Sequence, residues 1–397
     1  MRQILFMTLF VIVITNSCNK DRTLEYRNVL PDRPPVITPV VPGQPANCNA
    51  VIRPVIEARL EKLTELPEWR QHISVGVAGS KVIFAGGFKD QYEASDRVDI
   101  YDTQTGDWET YRLSQPRFAI CIVTAGDKVF FAGGQTESSH IGIIEILDLK
   151  TKTWEGKTLT KGSSHVSGAT NGSKVVFAGG GNGNQDKMEI YDMATGHWQT
   201  KSLRYPRLFG HAVNAIGDNV YISGGLLPGT SEGQATDIIE VHNLVTGEVN
   251  ELRMSGNRVF PGGAVVNNKL ILAGGSTWGA TGRSSCTVHV LDPADNSISL
   301  DSLSVPAKWS PNYGWQPVIS GSKVIFVHTS NYHTNHLGLL EIFDVAANSW
   351  FTGKILETPP DGSVVVAVGS MVLIAAGHYN PSYSEFETSP IVYKLVW

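Results

Sequence analysis

Short apolar runs that end on two glycines punctuate this chain. "KVIFAGG" from Lys81 returns as "KVFFAGG" at Lys128, "KVVFAGG" at Lys174, "NVYISGG" at Asn219 and "KLILAGG" at Lys269. Four apolar residues bounded by turn signals predict a strand buried on both faces. The first glycines, Gly86, Gly133, Gly179, Gly224 and Gly274, lie 47, 46, 45 and 50 residues apart. "KVIFVHT" and "MVLIAAG" extend the series with His328 and Ala376 in the first glycine position. Seven units of roughly fifty residues predict a repeat architecture.

A second column keeps the same register. Asp or Asn stands six residues before a large apolar residue in Asp102/Trp108, Asp148/Trp154, Asp192/Trp198, Asn243/Val249, Asp292/Ile298 and Asp344/Trp350. Turn sequences such as "TQTG", "MATG" and "LVTG" lie between them. An Asx side chain accepts bonds from turn amides, and Gly supplies the positive φ of a tight hairpin. The further carboxylates of a calcium loop are missing, so no calcium site is expected.

Paired glycines after an apolar strand, then a strand bearing an aromatic residue or Asp, then Trp, resemble the kelch repeat from about Arg59 to Trp397. The resemblance implies an all-β, seven-bladed kelch-type β-propeller, each blade a four-stranded sheet covered by its neighbours. The first, innermost strand of each blade is expected to be covered on both faces, and "AICIVTA" from Ala119 fits that. The seventh unit ends with "IVYKLVW" and lacks a fourth strand. "RLEKLTELPEWRQHISV" from Arg59 aligns with "WETYRLSQPRFAICIV" from Trp108, a fourth strand leading into a first. An N-terminal strand around Arg59 to Leu66 should therefore pair with the last blade and close the ring, removing two exposed edges.

What precedes the repeats reads differently. Arg2 and an apolar run from Ile4 to Ile14 suit an export signal and are too short to span a bilayer. A small residue directly before Cys18 resembles a bacterial lipobox, with Thr15 where Leu is usual. The expected organisation is a signal peptide at 1–17, a lipid-anchored Pro-rich linker at 18–57 and the propeller at 58–397. Six prolines between Pro31 and Pro45 make a stalk, about 45 Å long over fifteen residues. The expected location is the cell envelope, as an outer-membrane lipoprotein touching membrane only through the lipid on Cys18. A net charge of −5 argues against a nucleic-acid partner. Cys121 reads as a buried apolar filler, and its pairing with Cys286, three blades away, is not expected, although an exported protein would permit disulfides. Cys48 follows the stalk. A monomer is expected.

Turns between first and second strands, and between third and fourth, fall on one face and are uniformly short. On the other face, the counts from the second glycine position to the Asx column are 15, 14, 12, 18, 17 and 15. Variation on one face of a rigid repeat marks the binding face. Arg70, Arg117 and Arg258 precede their glycine pair by sixteen residues and Arg207 by seventeen. With Trp278, Trp315, Tyr332 and Tyr379 in nearby loops, they are candidate ligand-binding residues for an anionic glycan or protein, since Arg bonds carboxylates bidentately. In kelch repeats an Arg at this place also bonds loop carbonyls or a neighbouring blade, so a structural role stands beside the ligand role. His328, His333, His336 and His378 sit on adjacent loops and could bind zinc or copper, but no Asp, Glu or Cys stands among the first three as a further ligand, and no metal or other cofactor is expected.

Two functional classes remain open: a binding module displayed on the envelope, and a carbohydrate enzyme on a kelch scaffold. Kelch-like enzymes include copper radical oxidases and sialic-acid mutarotases. The oxidases need a Cys–Tyr cross-link and an additional domain, neither of which is legible in this sequence. A mutarotase needs only an acid/base pair, for which Glu137, Glu232, Asp361 and Glu385 are candidates. The reading favours the binding module.

Overall fold

The structure is a computed structural model. It describes residue 48 and residues 52–89, 93–159, 162–181, 183–229, 234–277, 284–307, 317–329, 337–377 and 389–397. No α-helix occurs among these residues. Unit one forms a four-stranded antiparallel meander of Ser74–Ala78, Lys81–Ala85, Arg97–Asp102 and Trp108–Arg112. Units two, three and five repeat it, and unit four adds a short strand, Leu226–Leu227. The architecture is that of a β-propeller.

The second strand of each meander explains the repeated phrase. Val82, Ile83, Phe84 and Ala85 are all wholly buried. Alternate residues of a strand point to opposite faces: Val82 and Phe84 pack with Leu373 and Ala375 of unit seven, Ile83 and Ala85 with Val129 and Phe131 of unit two. Such contacts pass from unit to unit and return to unit one. Burial on both faces therefore belongs to the second strand, not to the first as expected. Ser74–Ala78 and Cys121–Ala125 are mostly half-buried, because their free edge borders a central channel.

The glycines are required by contact. A Cβ on Gly86 (φ 64°) would lie 2.2 Å from the Arg117 carbonyl oxygen, and one on Gly87 (φ 93°) 2.4 Å from that of Gln71. Ala376, in the first glycine position of unit seven, keeps the left-handed conformation at φ 59°. The Asx column works as the turn chemistry demands. Asp102 Oδ1 accepts from the Gln104 amide at 3.0 Å, while Oδ2 takes Lys81 Nζ, the first residue of the repeated phrase, at 3.0 Å. Both contacts hold the Asp102 carboxyl down at about 2, with the Gln104 amide contributing most.

The N-terminal strand Val55–Glu65 joins units six and seven into one eight-stranded sheet. Its second half runs antiparallel to Ile391–Val396, pairing Arg59 with Val396 and Glu65 with Ile391. Its first half, Val55 to Ala58, runs parallel to Thr352–Ile355 of unit six. The sequence did not announce that second pairing, nor the disulfide between Cys48 and Cys286. Cys48, Arg53 and the first residues of this strand are thus tied to the sheets, although the sequence placed them in the linker at 18–57. Cys121 is free, half-buried and at the channel, and burial pushes its thiol up to about 12.

Candidate functional site

Each described unit enters its first strand through the same kink. Fourteen residues before the first glycine position stand His72, Ala119, His165, Gly210, Phe260 and Gly362, with φ of 53°, 54°, 59°, 69°, 60° and 72°. In units one, two and five, the residue just before the kink bridges to the residue after the glycine pair: Gln71 to Phe88, Phe118 to Gln135, Val259 to Ser276. A left-handed residue then turns the chain into the channel wall. Four of the six carry a side chain where glycine is free of strain, and backbone strain of this kind gathers at functional sites.

Five of them, all but Gly362, line a channel of about 450 Å³ walled by the first strands. Rings crowd the rim in two groups. His72 meets Phe88 edge-on with centroids 5.1 Å apart, and Phe88 lies 4.1 Å from Phe118. His165 lies 5.9 Å from Phe209, which stacks on Phe260 at 5.7 Å, so this second shelf spans units three, four and five. His72, His165, Phe209 and Phe260 are all half-buried. His165 Nδ1 lies 2.8 Å from Ser164 Oγ, and burial, then His140, lowers its pKa. Behind it His211 is buried, its Nε2 2.8 Å from the Ala178 carbonyl, and burial lowers it to about 4. Imidazoles and phenyl faces at a channel mouth can take the apolar face and the hydroxyls of a polyol.

The four arginines expected at this mouth are not there. Arg70, Arg117 and Arg207 have no accessible surface and Arg258 has 5%. Arg70 Nη1 is 2.9 Å from Asp99 Oδ2 and its Nε donates to the Gly86 carbonyl. Arg117 Nη2 is 2.7 Å from Glu145 Oε2. Arg207 donates to the Tyr205 carbonyl at 2.8 Å, and Arg258 to the Gly274 carbonyl at 2.9 Å and Ser285 Oγ at 2.7 Å. Burial lowers both of these to about 10. Each guanidinium folds back into its own unit, because an inaccessible charge needs a partner more than a ligand site needs the charge. Third strands supply the carboxylate for two of them, Asp99 to Arg70 and Glu145 to Arg117; the same column, three residues before the Asx position, continues with Glu189, Glu240 and Glu341 but has His289 in the unit of Arg258. Several also clamp the preceding connection, as Glu145 Oε1 does for the Ser114 amide at 2.8 Å and Glu240 Oε1 for Arg204 at 2.7 Å.

Trp278, Trp315, Tyr332 and Tyr379, with His333, His336, His378, Glu232, Glu385 and Cys18, lie outside the described residues. His328 is buried, its Nε2 4.0 Å from Glu341 Oε1. Glu137 Oε1 accepts from the Ala94 amide at 2.9 Å, a contact between units. Among the described residues no three His, Cys, Asp or Glu side chains are grouped to hold a metal ion. The residues brought together at the mouth, His72, His165, Phe209 and Phe260, were not singled out by sequence. Their signal was available: the same column reads glycine at Gly210, Gly314 and Gly362.

Comparison with known proteins agrees with this geometry. Residues 58–225 match the KLHDC2/KLHL20/DRC7 Kelch-repeats domain. A stretch of 113 residues is 33% identical to the Kelch-like protein terF of Aspergillus terreus, covering 25% of this chain and 24% of that relative. The chain thus spans about a quarter of the length of the curated relative it matches. Among solved structures, that of YjhT aligns with a TM-score of 0.53 at 15% identity, over 73% of this chain and 99% of its own. The class defined by repeat, sheets and matches is a β-propeller. Within it, these findings support a kelch-repeat protein.

Proposed function

We propose that this chain is a seven-bladed kelch propeller, exported and held at the cell envelope through Cys18, which binds a glycan at the mouth of its central channel. The observation that carries the ligand reading is the two groups of rings, with His72, His165 and Phe260 on left-handed residues lining a channel of about 450 Å³. Phenyl faces cover the C–H face of a sugar ring, while imidazoles and the free edges of the first strands meet its hydroxyls. Charge on the ligand is not required, since the arginine charge is spent inside the sheets. The Cys48–Cys286 disulfide supports an exported protein, because such bonds persist in oxidising compartments.

The test is a glycan array probed with the soluble propeller. Phe209→Ala with Phe260→Ala should weaken any hit at least tenfold, and unchanged binding would retire the mouth as the site. A mutarotation assay on the hits decides the enzymatic alternative, in which His72 or His165 exchanges a proton with the sugar. For the anchor, Cys18→Ser should move the protein from membrane to soluble fraction and abolish fatty-acid labelling. An unlabelled, soluble wild type would sink the lipoprotein reading.

A further inference from the structure

The third-strand carboxylate of unit six has no arginine from its own entry segment, where the sequence has Asn312. Its cation comes from outside the repeats. Arg53 Nη1 lies 2.5 Å from Glu341 Oε2, Nη2 donates to the Ser302 carbonyl, and the guanidinium sits 4.3 Å over the Trp350 ring. Both side chains are essentially inaccessible, at 2% and 0%. Five residues before Arg53, Cys48 is bonded to Cys286, which is 2% exposed on the third strand of unit five and packs in the cluster that holds Phe326 and Phe343. Two residues after Arg53, the parallel pairing with Thr352 begins. The arginine is therefore held from both sides, covalently on one of them.

We propose that the Cys48–Cys286 disulfide is a redox latch that keeps Arg53 seated on Glu341, so that reduction withdraws the cation from unit six. The chemistry is thiol–disulfide exchange with a dithiol. One thiolate of the reductant attacks a sulfur of the pair and forms a mixed disulfide, and its second thiol expels the remaining protein sulfur. Two electrons and two protons pass to Cys48 and Cys286, and the reductant leaves as a disulfide. Once free at Cys48, the segment can lift Arg53 into water. Glu341 is then left with the amides of Ser304 and Val305, at 2.7 and 3.4 Å, and with His328 at 4.0 Å. Asp301, the remaining charge at the socket, is engaged by Trp350 Nε1 at 2.5 Å. His328, which faces Glu341, occupies the first glycine position of unit six.

The experiment compares the full chain, oxidised and after dithiothreitol, with Arg53→Met, Cys48→Ser and the double variant. Amide exchange at Ser304 and Val305 is read alongside thermal unfolding. Arg53→Met should lower the melting temperature of the oxidised protein by several degrees, and by less than a third as much once the disulfide is absent. Exchange at the two amides should rise at least tenfold on reduction of the unaltered protein, a readout that needs no variant to fold. Burial already raises the Glu341 carboxyl above the usual range, with Arg53 and the two amides pulling it back. Without Arg53 it rises further, so stability present in acid is lost as pH climbs. The gap between oxidised and reduced melting temperatures should therefore widen from pH 5 to pH 7.5. An equal cost of Arg53→Met in both redox states, or unchanged exchange at Ser304 and Val305 on reduction, overturns the latch.

Discussion

Arg70 Nη1 stands 2.9 Å from Asp99 Oδ2, and neither side chain has any exposed surface. The pair joins the entry of unit one to the middle of its third strand. Arg97 Nε and Thr110 Oγ1, each 2.8 Å from Asp99 Oδ1, complete the carboxylate's shell. Removing one partner of a buried pair leaves an uncompensated charge, whereas replacing both by apolar residues often restores stability. Arg70→Met should thus cost about 3 kcal/mol, and Asp99→Leu added to it should recover part of that. Urea unfolding of the single and double variants checks this. Two additive losses would show that the pair does not act as a unit.

Closure sets a graded truncation series. Losing residues 1–51 removes Cys48 but keeps Arg53 and the closing strand, and should cost roughly 2–4 kcal/mol, the usual range for a disulfide. Losing residues 1–66 also strips the partner from both Thr352–Ile355 and Ile391–Val396. Open edges of that kind template aggregation, so light scattering should rise on mild heating in the longer truncation alone.

Two buried histidines set an acid limit. Burial lowers His211 to about 4 and His289 to about 3. Both are depressed below the unfolded value of about 6.5, so protons bind the unfolded chain first. Stability is then full above pH 6.5 and falls as pH drops toward 4 for His211 and toward 3 for His289. Each adds about 1.4 kcal/mol per pH unit inside its window. His289→Gln should flatten the urea-derived stability profile between pH 6 and 4. A profile identical to wild type would exclude His289 from that limit.

The left-handed column separates folding from binding. His165→Gly and Phe260→Gly each relieve a conformation worth roughly 1 kcal/mol or more, while removing a ring from the mouth. Melting temperature should hold or rise, and binding to array hits should fall. A large loss of stability would mean the rings are structural fillers.

Repeat, register and closure were legible because each depends on backbone needs that only a few residues meet. The glycine pairs and the Asx turns announce their geometry in residue type. The arginines were not legible in the same way. A column of arginines looks alike whether it faces a ligand or folds back onto a strand. What would have decided it for three of the four is the parallel column that sets Asp99, Glu145 and Glu240 in the units of Arg70, Arg117 and Arg207, since unpaired charge does not stay buried. The φ of His72 or Phe260 leaves no mark in the residue itself, so the rim was legible only through the glycines that share its column, Gly210, Gly314 and Gly362. The disulfide was hidden because Cys48 lies 238 residues from Cys286, in a segment without periodicity.

The disulfide also decides where a pull on the N-terminus is felt. Tension transmitted from any residue before 48 arrives first at Cys48 and passes through Cys286 into Ser285–Asp292, a strand hydrogen-bonded on both edges. Without that bond the same tension would reach Val55 and peel the closing strand from Thr352 onward, one pair at a time. Pulled from its N-terminus, a propeller built this way yields by shearing an interior strand rather than by unzipping its seam, because one covalent bond joins the segment before the repeats to the third strand of unit five.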